Sequence, residues 1–483
     1  DRSDMLARIM TLNVDMQQHQ FTSLNKARRL MGSPDEPLFD TVFAYQKPTG
    51  DTSANSLWSV VDERATIEYP ISIELEPIAG QLEYRLTFLP HIIPKEQARL
   101  ILEQLDHLME DFIFSPKTTT IRKNYPDQVY SITPAKEYEL PSDVRLLHEF
   151  VEQTATSYPE RIALEFVRTK DDGRRFAKRW NYSQMDAEGN KVSHLLRHHG
   201  VKPGSLVGVC FDKCPEASFA MLGILKAGCA FVAIDPGAPP ARQTFVVEDS
   251  RAQAVLSLSS QSQKFEMNLA VPILNLDQID WCSLSGSKLM NNREINPQDR
   301  SYCLYTSGTT GTPKGCELTH ENAVQALLAF RRLFAGHWDE NSRWLQFASF
   351  HFDVSILEQY WSWSVGICVV SASRDLIFED LAFSIRDLNI THIDLTPSLA
   401  QILHPDDVPS LCKGVFITGG ESLKQEILDV WGPKGVIYNG YGPTEATIGC
   451  TMYPRVPENG RPSNIGPQFD NVGSLVPVSY THL

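Results

Sequence analysis

The sequence has no apolar run long enough to cross a bilayer. Its most apolar stretch, Phe219 to Ile234, is broken by Lys226 and falls short of the roughly 20 residues a membrane helix needs. No membrane partner is expected. Positive charge is also scarce: 44 Lys and Arg against 59 Asp and Glu leave a formal charge of −15. That balance argues against general affinity for nucleic acid or anionic lipid. No cysteine precedes Cys210, and the nine in the chain form no CxxC pair and no Cys/His cluster, which removes the usual zinc arrangements. They read as small apolar packing residues in a reducing compartment, so a cytoplasmic location is expected. No signal peptide is visible. Asp1 stands where Met would open a gene product, so the N-terminus is expected to be a cut edge that reports nothing on targeting.

What the chain does have is globular composition, 42% hydrophobic and 21% charged, over 483 residues, enough for two or three domains. Residues 1–114 read as the latter part of an α/β domain. Ile71, Ile73 and Leu75 alternate with polar residues, as do Leu82, Tyr84, Leu86 and Phe88, which predicts two strands. Pro94 opens a helix with Ala98, Ile101 or Leu102, Leu105, Leu108 and Phe112 on one side. Residues 115–143, punctuated by Pro116, Pro126, Pro134 and Pro141, read as a linker. From 144 to 477 helices and strands alternate: helices over 147–158, 183–199 and 215–227, strands over 206–211 and 230–234. Such alternation predicts a largely parallel sheet covered by helices.

The densest signal is Tyr305-Thr-Ser-Gly-Thr-Thr-Gly-Thr-Pro-Lys-Gly315. The apolar Tyr302-Cys-Leu-Tyr305 before it reads as a short buried strand. A strand opening into a Gly/Ser/Thr loop can turn backbone N–H groups and hydroxyls toward an anion, and a nucleotide triphosphate is the natural ligand. It is not a Walker A loop, since Gly315, not Ser or Thr, follows Lys314 and no Gly directly precedes that lysine. A flexible Ser/Gly linker is the plain alternative. Four further segments accompany the loop: Leu225-Lys-Ala-Gly-Cys-Ala-Phe-Val-Ala-Ile-Asp235, Phe350-His-Phe-Asp-Val-Ser355, Ile417-Thr-Gly-Gly-Glu421 and Asn439-Gly-Tyr-Gly-Pro-Thr-Glu445.

Together these five segments resemble the core motifs of the adenylate-forming superfamily, and most of all the adenylation domains of non-ribosomal peptide synthetases. The resemblance covers about residues 145 to 477. The segments His19-Gln-Phe-Thr-Ser-Leu24 and Leu38-Phe-Asp-Thr-Val-Phe43 are similar to the C-terminal half of a condensation domain. The implied architecture is α/β: the large adenylation subdomain with βα-layered sheets, preceded by a partial α/β condensation domain.

The implied reaction is attack of an amino-acid carboxylate on the α-phosphate of ATP, releasing pyrophosphate, for loading onto a phosphopantetheinyl carrier domain. By the resemblance, Thr306, Ser307, Thr309, Thr310 and Lys314 hold the β- and γ-phosphates. Thr444 contacts the α-phosphate, and Glu445 binds Mg²⁺. Tyr441 stacks on adenine, while Gly420 and Asn439 line the base pocket. Gly308, Gly311, Glu421 and Gly442 complete the ATP-binding set. His320 matches a family histidine near the phosphate loop, and a helix-start histidine would look the same. Asp353 holds the substrate's α-ammonium, the partner that a carboxylate among Phe350 and Phe352 needs; a helix cap before Val354 is the alternative. His351 either gates the pocket or is simply packed.

The family's side-chain pocket falls on Val354, Leu357, Asp394, Ile417, Gly419, Gly440, Ile448 and Gly449. Three glycines leave room, and Asp394 asks for a donor or a cation. The expected substrate is ornithine-like, specifically N5-acyl-N5-hydroxyornithine, because the stretch from Asp394 to Glu445 resembles fungal siderophore synthetases. Unmodified ornithine or lysine is the rival, and Asp394 capping a turn near Pro397 would leave an apolar substrate. Two other functions compete: an acyl- or aryl-CoA ligase of the same superfamily, and a catalytically silent binding protein.

Residues 1–114 contain no HHxxxDG string, so peptide-bond formation is not expected of them. Beyond Asn464-Ile-Gly466 neither the family's hinge Asp, nor its small subdomain with the catalytic Lys, nor a carrier serine is found. Residues 478–483, Val-Ser-Tyr-Thr-His-Leu, resemble a translated sequencing adapter and are set aside. The stretch by itself is therefore expected to bind ATP or substrate weakly and to turn over little.

Overall fold

The structure is a computed structural model that describes residues 2–17, 41–45, 69–78, 81–90, 92–93, 95–114, 131–133, 135–169, 174–263, 265, 269–290, 293–306 and 313–475. The chain divides into two compact units, Asp1–Ala135 with Gly473–Leu483, and Lys136–Val472.

In the smaller unit, strands β1 (Thr41–Tyr45), β2 (Ile71–Ile78) and β3 (Gln81–Phe88) form one sheet, parallel between β1 and β2 and antiparallel between β2 and β3. The two alternating segments of the sequence are β2 and β3. Helix Lys95–Phe114 buries Ala98 and Leu100, and a further helix spans Arg2–Gln17. Strand β4 (Ser131–Thr133) pairs with Ser474–Leu475. The condensation-like segments at 19–24 and 38–43 lie outside the described residues apart from Thr41–Phe43 in β1, as do 115–130 and 478–483.

The larger unit is layered. Strands β5 (Ile162–Thr169) and β6 (Arg175–Asn181) belong to one sheet. The other contains β7 (Leu206–Cys210), β8 (Ala230–Ala233), β9 (Val255–Ser257), β10 (Ile273–Asn275), β11 (Arg300–Thr306) and β12 (Lys314–Thr319). The first sheet is completed by β13 (Arg343–Leu345), β14 (Cys368–Ala372), β15 (His392–Leu395), β16 (Val415–Thr418), β17 (Ile437–Tyr441) and β18 (Thr451–Tyr453). The strand orders are β10-β9-β7-β8-β11-β12 and β18-β17-β16-β15-β13-β14-β5-β6. Only the edge strands β12, β6 and β18 run antiparallel to their neighbours. The α/β layering expected from the sequence is what folds.

Its physical cause is plain in the strands. All five residues of β7, all four of β8 and all five of β14 are buried, as unbroken apolar runs must be when helices cover both faces. Helix Pro215–Lys226 is apolar almost all round and is buried on every side, which makes it an inner layer. So is the segment Val354–Ile356, Leu357–Trp361 and Ser362–Val365, whose middle turn is π-helical. One core contains Val207 and Val209, Leu304, Val369 and Ile417, so it draws on both sheets. Each fully buried side chain of this size contributes about 1.5–3 kcal/mol. Lys226 ends the inner helix with its buried ammonium paired to Glu152 (2.6 Å) and Asp186 (2.9 Å), which offsets part of its desolvation cost. Among the described residues, no helix is long and apolar enough to cross a membrane.

Candidate active site

Lys213, three residues past β7, donates to Gln346 Oε1 at 2.6 Å, and Gln346 follows β13 directly. The carboxyl ends of the two sheets therefore meet, which is where parallel α/β sheets bind ligands. The hairpin of β11 and β12 opens there, with Tyr305 opposite Gly315 and Thr306 opposite Lys314. The Thr306 hydroxyl donates to the Lys314 carbonyl at 3.5 Å, and Lys314 itself is exposed. Ser307, Gly308, Thr309, Thr310 and Gly311 lie outside the described residues.

Beside β12 lies the short turn Thr444–Ala446, with Glu445 exposed. Burial raises the pKa of the Cys316 thiol on β12, and the charges of Glu445 and Asp353 raise it further. That influence puts the Lys314 strand, Glu445 and Asp353 at one locus. Asp353 is 9% exposed and its Oδ2 has no hydrogen-bond partner. Burial pushes its carboxyl up to about 6, although the amides of Ile448 and Val354 and the Thr444 hydroxyl pull the other way. Its backbone is already helical and its side chain makes no capping bond, so the helix-cap reading is not what the fold uses. The turn that presents Ile448 is strained: Thr447 (φ +61) and Ile448 (φ +71) are both β-branched and both left-handed. Such backbone persists where the surroundings enforce it, as functional sites often do.

The proposed pocket positions come together around this carboxyl. Asp394 and Ile417 are register partners on β15 and β16, and Gly440 stands on β17 next in order. A Cβ on Gly419 would sit 3.1 Å from the Gly440 carbonyl, so these two glycines are in contact. Leu357, Ile417 and Ile448 are buried, and Val354 is half-buried. Gly449 is also buried, packed near Phe330 and Phe469. Asp394 is half-buried, yet burial raises its carboxyl pKa well above the ordinary range, and Glu358 and Asp353 raise it further. Thr396, not Asp394, precedes the helix at Pro397, so Asp394 is no turn cap there.

The residues assigned to ATP divide. Tyr441 is 54% exposed at the end of β17. Gly442 packs on Gly449, and Gly420 (φ +79) faces open space. Asn439 is buried and donates to the carbonyls of Asn464 (2.9 Å) and Pro462 (3.3 Å), so its amide anchors the following loop. Glu421 accepts from the Ser398 amide at 3.2 Å and from its hydroxyl.

His320 is buried at the start of helix His320–Leu333, and its Nδ1 accepts from the Leu147 amide at 3.0 Å. Burial lowers its pKa to about 4. That is the helix-start histidine the sequence left open. His351, half-buried, lies 4.0 Å from Asp235 and against the exposed Phe352. The sequence reading missed Lys213, Gln346 and Glu358. A lysine just past a buried parallel strand, and a glutamate amid the apolar and aromatic residues of 354–365, were the available signals. Two clefts of about 340 Å³ each lie around Glu152 and Lys288, whose charges pair with each other at 2.7 Å.

Residues 151–476 match the family of AMP-binding enzymes. The chain is 74% identical to Nonribosomal peptide synthetase 2 of Cochliobolus heterostrophus, over 99% of this chain and 9% of that protein. It is 41% identical to the hydroxamate-type ferrichrome siderophore peptide synthetase of Schizosaccharomyces pombe, over 98% of this chain and 10% of that protein. The chain thus spans about a tenth of the length of these curated relatives. Its fold is similar to that of the AMPPNP-bound form of the non-ribosomal peptide synthetase FmoA3, with a TM-score of 0.62 and 21% identity, over 92% of this chain and 48% of that one.

Proposed function

We propose the function from one premise: the chain belongs to the AMP-binding enzyme family and carries an adenylation domain of the non-ribosomal peptide synthetase kind. Its reaction is activation of an amino acid. A carboxylate oxygen of the amino acid forms a bond to the α-phosphorus of ATP. The bond from that phosphorus to the bridging oxygen breaks, and pyrophosphate leaves with the electron pair. The acyl group then passes from the aminoacyl-AMP to a phosphopantetheine thiol on a carrier domain, with loss of AMP and of the thiol proton.

The observation that carries this reading is the buried Asp353 with its unpartnered oxygen, beside the Glu445 turn and the Lys314 strand. A carboxylate so placed needs a cation, and the substrate's α-ammonium supplies one. A fatty or aryl acid does not. Lys314, Thr306 and the loop hydroxyls neutralise the terminal phosphates, Thr444 reaches the α-phosphate, and Tyr441 stacks on the base. Such chemistry asks mainly for positioning and charge neutralisation. Among the described residues no three His, Cys, Asp or Glu side chains form a metal cage. Glu445 is the carboxylate that would hold Mg²⁺, an ion that commonly takes one or two carboxylates together with phosphate oxygens and water. Bound there, it would offset phosphate charge.

For the substrate, the half-buried, strongly proton-holding Asp394 supports a side chain with a polar end. An N5-acyl-N5-hydroxyornithine fits, and the siderophore synthetases among the relatives favour it. The test is ATP–pyrophosphate exchange by the full-length protein with N5-acetyl-N5-hydroxyornithine, ornithine and leucine. The hydroxamate should win, and Asp394→Leu should move selectivity toward leucine by about 100-fold or more. A wild type that prefers leucine would sink the substrate reading.

A further inference from the structure

The connection from Gln346 to Asp353 leaves the sheet after β13, and its backbone groups must find partners elsewhere. Two charged side chains supply them. Glu358, fully buried, accepts through Oε1 from the Phe347 and Ala348 amides, both at 3.0 Å, and through Oε2 from Gln346 Nε2 at 3.0 Å. Lys213 comes from the other sheet. Its ammonium donates to the Gln346 carbonyl at 3.1 Å, to Gln346 Oε1 at 2.6 Å and to the Ala348 carbonyl. The Phe350 ring covers it at 5.0 Å. Glu358 follows Asp353, Val354 and Leu357 in one helical segment, so the network ties that segment back to the start of the connection.

Burial opposes both charges, drawing Lys213 down to about 7 and Glu358 up to about 7. A buried pair of this kind adds little net stability over apolar packing, and its use lies in geometric specificity.

We propose that Lys213 and Glu358 are positioning residues for amino-acid recognition: acting through Gln346 and the 346–353 backbone, they set the Asp353 carboxylate where it meets the substrate's α-ammonium. The inference rests on the role given to Asp353 above. Neither residue is among those assigned to ATP above, so the two substrates should respond differently to their loss. Lys213 also ties the two sheets together at the mouth of the site. Its removal therefore frees the Asp353 segment without cutting a strand or emptying an apolar core.

The experiment uses the full-length protein. Exchange is screened with N5-acetyl-N5-hydroxyornithine, ornithine, lysine and the proteinogenic amino acids, and the best substrate is compared with its des-amino analogue. In Lys213→Met the amino-acid KM should rise about tenfold or more while the ATP KM stays within about twofold, and preference for the α-amino group should fall by about tenfold. Glu358→Gln keeps its shape and part of its acceptance, so it should shift the same quantities by less. Lys213→Arg keeps a charged donor and should recover most of the loss. Both read the idea if Lys213→Met does not fold. An unchanged KM split and unchanged α-amino preference in folded Lys213→Met or Glu358→Gln overturns the inference alone. Absence of wild-type exchange with every compound overturns the functional reading, and this inference with it.

Discussion

Replacing Asp353 by asparagine should make the ligand-free protein more stable and its amino-acid recognition poor. The carboxyl is moved by burial from 3.8 to about 6, so its charged form costs about 3 kcal/mol in the folded state. The folded protein holds this proton more tightly than the unfolded chain does. Stability is therefore lost as the pH rises from about 4 through 6, and the loss is complete above about 7. Asparagine carries no such penalty. The stability difference, Asn minus Asp, should grow by about 1–2 kcal/mol between pH 5 and pH 8, since roughly half of the penalty is already present at pH 5. Urea titrations of the ligand-free protein across that range measure it. They separate the charge from any change in packing, because packing does not follow pH. In exchange assays the same variant should raise the amino-acid KM by about 10- to 100-fold, the worth of one charge-assisted hydrogen bond. The wild-type amino-acid KM should itself rise as the pH falls below about 6, where Asp353 takes up its proton. A stability difference that is flat or narrows with pH would refute the reasoning that burial dominates at Asp353.

Two further outcomes are expected. Glu445→Gln should lower the exchange rate by about 100-fold, and added Mg²⁺ should restore part of the loss; a variant with wild-type rate at limiting Mg²⁺ removes Glu445 from that role. Gly466→Ala should destabilise the larger unit by about 2–5 kcal/mol, read as a lowered urea midpoint, because Gly466 lies at φ +75 and a Cβ would stand 2.2 Å from the Met452 carbonyl carbon.

Much of the fold was legible because its signals are local. The buried runs of β7 and β8, the alternation in β2 and β3, and helix Pro215–Lys226 each follow from neighbouring residues. The segment from Tyr305 to Gly315 suggested a triphosphate loop from its glycines and hydroxyls, and the four accompanying segments gave that suggestion its family. His320 and Asn439 were harder. Each carries a family position in the sequence, yet one ring accepts from the Leu147 amide and the other side chain holds the loop at Asn464. Such partners cannot be read from spacing, since His320 and Leu147 lie 173 positions apart.

The sequence alone determined the reaction class, because phosphate-binding and amino-acid-binding chemistry is written in short contiguous segments whose backbone serves the ligand directly. It also determined the layered α/β plan, since hydrophobic period and run length are properties of neighbours. Only the tertiary structure decided that Asp353 is buried with an unpartnered oxygen and that burial makes Asp394, beside Ile417, hold its proton strongly. It alone brought Lys213 133 positions along the chain to Gln346. Charge state depends on burial, and burial is a property of everything packed around a residue.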